Sequence, residues 1–251
     1  MLTSCVTTHS RPTLLDLPAG PPLVEPVALV DDDPDASVVD VRLAGPQQVI
    51  MLGAADALVI RIPPTSSPQT LVVDELQASI TTSPAAESVW LLGPQRSGVY
   101  AIRRGGELGR LDAVVVVQAR ERRERVLLLN DTTAGIERIE GLGNVVTVNG
   151  QRRPTLSVVP GAKERWHFAN TSVARSFVLI LPGHVFAVVG GSAVGEIALV
   201  PGAVVSADVE LGNEAIAAFD LVTLDGSPVS GEAWPLIHVV TNAAVATKEK
   251  S

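Results

Sequence analysis

Four histidines and a single cysteine are the side chains of this chain best suited to holding a soft or borderline metal ion. The histidines are His9, His167, His184 and His238, and the cysteine is Cys5. An unprotonated imidazole is a good copper ligand, so the question is whether spacing brings these rings together. His167, His184 and His238 all lie in the second half of the chain. Their number allows a three-imidazole copper site of the superoxide-dismutating kind, with Asp208, Glu210 and Asp220 as carboxylates available behind the ligands. Against it stands the absence of any His-x-His pair, the arrangement that aims two imidazoles the same way from one strand.

The local context of each histidine supplies a plainer role. In ERWHFAN (164–170) side chains alternate, so Arg165, His167 and Ala169 share one face of a strand and Trp166 and Phe168 the other. Burying the two aromatics turns His167 outward or toward a neighbouring domain, as a polar face residue. His184 follows Pro182-Gly183 and reads as a hydrogen-bonding turn residue. Other chemistries find no support: there is no GxSxG elbow, phosphate-binding GxxxxGK, HExxH or CxxC. GGELG (105–109) and GLG (141–143) read as turns, and DDDPD (31–35) as a solvated acidic turn without the alternation of a calcium loop.

The elements that must position these residues are strands. Short Val- and Leu-rich runs such as SVVDVRLAG (37–45), QVIMLG (48–53), LDAVVVVQ (111–118) and PLIHVVTNA (235–243) are broken by Gly, Pro, Asp and Asn throughout. No stretch keeps an apolar period of about 3.6 with caps, so the pattern predicts an all-β sandwich or barrel. A charged run, RERRER (120–125), divides the chain into halves of ordinary domain size and reads as a solvated linker. Each half contains a strand, a Gly-Ala turn and a second strand, QQVIMLGAADALVIRIP and PTLSVVPGAKERWHFAN, which points to duplication. The net charge of −8, with no basic cluster free of acids, disfavours nucleic acid as a partner.

The order of turns in the second half carries a family resemblance. Asn149-Gly150, Pro160-Gly161, Arg165, Asn170, His184 and Pro201-Gly202 follow one another as in the second domain of a multicopper oxidase. SGVYAIRRGGELGRLDAVVVV resembles the end of a first cupredoxin domain. The resemblance implies two cupredoxin-like Greek-key β-sandwiches, with domains at 23–120 and 121–246 and polar termini at 1–22 and 247–251. It also implies where copper ligands belong, and there the chain departs from the pattern. Where the family places two histidine pairs in its first domain, this sequence reads TLVVDELQAS and GVYAIRRGG. Cys5 lies in the tail and cannot serve as the thiolate of a blue copper site. The expectation is therefore a copper-depleted member in which no cofactor is favoured and oxidase activity is lost. The alternative is a copper-binding oxidoreductase, superoxide dismutase-like, or a copper chaperone that uses the second-domain histidines.

The start, MLTSC, resembles the end of a bacterial lipoprotein signal, with Cys5 as the residue that takes the lipid. The Pro-rich stretch RPTLLDLPAGPP (11–22) then suits a tether. These features point to an accessory or scaffold protein of the bacterial cell envelope, periplasmic or outer-surface, working with envelope protein partners and meeting a membrane only through that lipid.

Overall fold

The structure is a computed structural model that describes residues 20–29, 38–43, 47–105, 111–119, 123–132, 145–214, 217–225 and 233–242. Cys5, His9, the acidic turn 31–35 and the C-terminal residues 243–251 lie outside the described residues.

Two β-sandwiches follow each other along the chain. In the first, β1 (Ala28–Leu29), β3 (Gln48–Gly53), β9 (Leu111–Gln118), β8 (Gly98–Arg104), β5 (Thr70–Val73) and β6 (Ala78–Thr81) form one sheet in that order. The opposing sheet is β2 (Val38–Arg42), β4 (Ala57–Ile62) and β7 (Ser88–Leu92). Between them lies a core that includes Ile50, Leu58, Ile60, Val73, Ile102 and Val115. The second sandwich packs β11 (Val145–Val148), β10 (Glu124–Thr132), β13 (Lys163–Asn170), β18 (Val204–Glu210), β15 (Phe186–Val188) and β16 (Ala193–Val194) against a five-stranded sheet. That sheet orders β12 (Thr155–Val158), β20 (Ala233–Thr241), β19 (Ala218–Asp225), β14 (Phe177–Ile180) and β17 (Glu196–Leu199). Strand neighbours that are distant in sequence, such as β3 beside β9 and β10 beside β13, give the Greek-key character. The fold is thus all-β, two cupredoxin-like sandwiches, as the strand pattern and the resemblance predict.

The sequence shows why β9 is central. LDAVVVVQ is apolar at successive positions, which suits a strand covered on both faces. Ala113, Val115 and Val117 point into the first core, while Val114 and Val116 point to the second domain. There they meet Val126 of β10 and Ala169 of β13, with Val49 and Ala101 beside them. The two domains are therefore joined by a third apolar cluster, at the rim of which Arg165 reaches Ser97 Oγ at 3.1 Å and Gln47 reaches the Thr171 carbonyl at 3.3 Å.

Two segments are placed otherwise than the sequence suggests. Residues 20–25, placed across the tail and the start of the first domain, lie along β12 of the second domain, with Leu23 N–H donating to the Thr155 carbonyl at 2.7 Å. Within the charged run, Arg125 is buried at 8% exposure. The cause is register: β10 begins at Glu124, and alternation sends Arg125 inward with Leu127 and Leu129 while Glu124 turns with Val126 toward the first domain.

Candidate functional site

The two places in the first domain where the family pattern puts histidine pairs are brought together. TLVV forms β5, and Asp74–Leu76 form a turn of 3₁₀ helix after it, closed by Gln77 in the left-handed region at φ 50°. GVYAIRR forms β8, antiparallel to β5 with Leu71 opposite Arg104. Arg103 forms an ion pair with Asp74 and lies 3.6 Å from Glu75. Its Nε also donates to the Gly202 carbonyl of the second domain at 3.0 Å. Arg104 grips the buried Asp112 with two nitrogens, at 3.0 and 3.2 Å. Guanidinium groups carry no lone pair for a metal, and they neutralise the carboxylates they hold. These residues do not fit a copper cluster of the kind the resemblance places there.

The second-domain histidines are each tied to their own surroundings. His167 is 1% exposed and faces the first domain, between β10 and β18. Its Nε2 lies 3.2 Å from Glu124 Oε2 and its Nδ1 lies 2.8 Å from Ser206 Oγ. A carboxylate only accepts, so in the neutral ring Nε2–H donates to Glu124 and Nδ1 accepts from the Ser206 hydroxyl. Both nitrogens are engaged. His238 donates from Nδ1 to Asp220 Oδ1 at 2.9 Å, and Arg153 reaches the same carboxylate at 3.3 Å. His184 donates from Nδ1 to the Pro182 carbonyl at 3.1 Å and lies against Phe219 with ring centroids 4.6 Å apart.

Alternation keeps these rings apart. In β13, Trp166 and Phe168 enter the core and His167 does not; in β20, Ile237 and Val239 enter the same core and His238 does not. His167 and His238 therefore stand on opposite outer faces of one sandwich with its core between them. Among the described residues no three His, Cys, Asp or Glu side chains are grouped so as to hold a metal ion. Of the carboxylates considered as partners, Asp220 meets His238, Asp208 pairs with Arg165 at 2.8 Å, and Glu210 pairs with Lys163 at 3.3 Å. Glu124 and Ser206, the true partners of His167, were not readable from sequence, since both lie about forty positions away along the chain.

A buried charge cluster lies on the inner side of β10. Arg125 Nε donates to Glu164 at 3.2 Å and Nη1 donates to Glu25 at 3.0 Å. Glu164, 1% exposed, also accepts from Trp166 Nε1 at 3.1 Å. Burial works to lower the Arg125 pKa, but the charges and bonds of Glu164 and Glu25 outweigh it and hold the guanidinium above its ordinary value.

The comparisons with known proteins bear on this geometry. Residues 122–213 match the family model described as multicopper oxidase. The multicopper oxidase of Campylobacter jejuni, described as a metallo-oxidase, superposes with a TM-score of 0.62 at 16% identity, covering 90% of this chain and 62% of that one. A variant of the McoA multicopper oxidase of Aquifex aeolicus gives 0.62 at 13% identity, over 89% of this chain and 65% of that one. The laccase-like multicopper oxidase CueO of Ochrobactrum sp. gives 0.59 at 18% identity, over 91% and 64%. This chain thus spans under two thirds of the length of these proteins. No curated protein matches it in sequence. The expectation that no cofactor is favoured is corrected by these findings: the matching family and the similar structures are copper oxidases by name, so copper is the cofactor to which the comparisons point. No helix among the described residues is long and apolar enough to cross a membrane. The chain is similar to multicopper oxidases, in fold over both sandwiches and by family model over the second.

Proposed function

We propose that this chain is a non-catalytic accessory or scaffold protein of a bacterial cell envelope, which presents two cupredoxin-like sandwiches, joined by an apolar cluster, to protein partners. The observation that carries the reading is the use made of Asp74, Glu75 and Arg103. Side chains at the places of a catalytic cluster are spent on an ion pair and on a bond to the other domain. The start MLTSC and the Pro-rich stretch after it support attachment at the envelope surface through Cys5. Fractionation of the native gene product tests this reading. Recovery with membranes, release by Cys5→Ala, and a reproducible set of cross-linked envelope neighbours are expected. A product that stays out of the membrane fraction and cross-links to nothing overturns it.

A second reading, a copper chaperone or copper-binding oxidoreductase, draws on a separate observation. His184 and His238 each donate from Nδ1, so either ring, when unprotonated, offers the lone pair of its Nε2. Copper titration of the full chain, with His184→Ala and His238→Ala alongside, tests it. One tight equivalent lost in either variant supports this reading, and only weak binding indifferent to both counts against it.

A further inference from the structure

Residues 20–25 sit on the second domain as a peptide sits in a recognition groove. We propose that the free edge of β12 is a strand-binding groove specific for a Pro-Leu-x-Glu segment, filled in cis by residues 20–25 and able to take the same segment from a second copy of this chain.

Every part of a strand-addition site is present. The backbone supplies two bonds: Leu23 N–H to the Thr155 carbonyl and Thr155 N–H to the Pro21 carbonyl, each 2.7 Å. The Gln151 amide continues the edge as a strand would. Its oxygen accepts from Val24 N–H at 2.7 Å and its nitrogen donates to the Pro22 carbonyl at 2.9 Å. Asn149 Nδ2 donates to the Val24 carbonyl at 3.1 Å, and Thr155 Oγ1 donates to the Gly20 carbonyl at 2.9 Å.

Side chains add selectivity to this frame. Leu23 packs on the second-domain core, which gives an apolar pocket for one residue. Glu25 meets the buried Arg125 at 3.0 Å, which gives a carboxylate anchor two positions later. Gly20 passes so close to the Arg153 carbonyl that a Cβ has no room there. The alternate residue, Val24, is 62% exposed and is not read. Pro21 and Pro22 favour an extended chain and lower the ordering cost.

The segment is joined to the rest of its own fold by very little. After Glu25 come Pro26 and Val27, the latter 91% exposed, and then β1 enters the first domain beside β3. A short connection between two domains is the usual hinge for exchange of an element between copies. The segment of a second copy carries the same residues and satisfies the same groups, so nothing in the groove distinguishes it from the chain's own.

The test uses the full chain and a fluorescent peptide of residues 18–27, PAGPPLVEPV. A chain carrying Leu23→Asp and Glu25→Lys has emptied its own groove. It is expected to bind the peptide at least ten-fold more tightly than the wild-type chain, whose groove is filled. A peptide with the Leu23→Asp change is expected not to bind. A folded, emptied chain that ignores the wild-type peptide overturns the groove. Should the double variant fail to fold, Gln151→Ala serves instead. The Thr155 amide is then expected to exchange with solvent at least ten-fold faster, with protection restored by excess peptide; unchanged exchange, or exchange the peptide does not slow, overturns the proposal. For the second copy, wild-type chains labelled separately with donor and acceptor dyes are mixed at high concentration. Energy transfer that grows with time and is abolished by excess peptide is expected, and its absence overturns the trans arm.

Discussion

Arg103 of the first domain donates from Nε to the carbonyl of Gly202 in the second at 3.0 Å, while its terminal nitrogens face Asp74 and Glu75. One side chain thus joins a 3₁₀ turn, a strand and the neighbouring sandwich. Gly202 can offer its carbonyl there because it turns the chain at φ 77° after Pro201. Arg103→Ala removes a charge-assisted bond and is expected to cost about 1.5 kcal/mol. Urea unfolding should show it as a lower midpoint, with an unchanged far-ultraviolet spectrum.

The histidines should separate by burial. His167→Ala leaves the buried Glu124 without its imidazole donor, though still bonded to the Ala119 N–H, a loss of about 2–3 kcal/mol as for a hydrogen bond to a charged group. His184→Ala removes a half-buried ring that lies against Phe219 and leaves no buried charge behind, so it should cost less, about 1 kcal/mol. Equal effects in denaturant unfolding would contradict the placement of His167 between the domains.

Arg125→Met removes the cation that holds Glu164 and Glu25, and is expected to destabilise the second domain by about 3–5 kcal/mol. The double change Arg125→Met with Glu164→Gln should recover part of that loss, because the remaining buried charge goes with it. The raised pKa of Arg125 fixes the sign at the alkaline end: its stabilisation is complete below the ordinary arginine value and is lost only as pH rises through the higher folded value. Between pH 7 and 10 the guanidinium itself should add no slope to stability. A slope in that range that disappears in Arg125→Met would contradict the burial assigned to it.

Much of the frame was legible in the sequence. The apolar run of β9 announces a strand covered on both faces, and Trp166 and Phe168 announce the inner face of β13. Asn149-Gly150 adopts φ values of 50° and 75°, and Gly161 lies at 68°, as tight turns demand of those residue types. What stayed hidden depends on long-range pairing. Nothing near His167 in sequence names Glu124 or Ser206, because a parallel and an antiparallel neighbour supply them. RERRER looks solvated until the start of β10 fixes which of its arginines turns inward. Residues 20–22 look like tail and 23–25 like the start of the first domain, because the groove that receives them is built from residues about 130 positions later.

Tyr100, the single tyrosine, provides a direct spectroscopic check. Its hydroxyl donates to the Arg96 carbonyl at 2.7 Å, and burial raises its pKa above the ordinary 10.0. The neutral phenol is the form the fold favours, so its contribution is complete below about pH 10 and is lost as pH rises through the folded value. Titration of the tyrosinate absorbance should show a midpoint above 10 in the native protein and a fall toward 10 in denaturant.

The proposed function makes these two sandwiches a platform and not an oxidase. Dioxygen consumption by the full chain, loaded with copper and supplied with phenolic and metal-ion reductants, tests it most directly. The expected rate is no greater than that of the same copper concentration without protein, and is unaffected by His167→Ala, His184→Ala or His238→Ala. Sustained turnover that depends on any one of those histidines would contradict it.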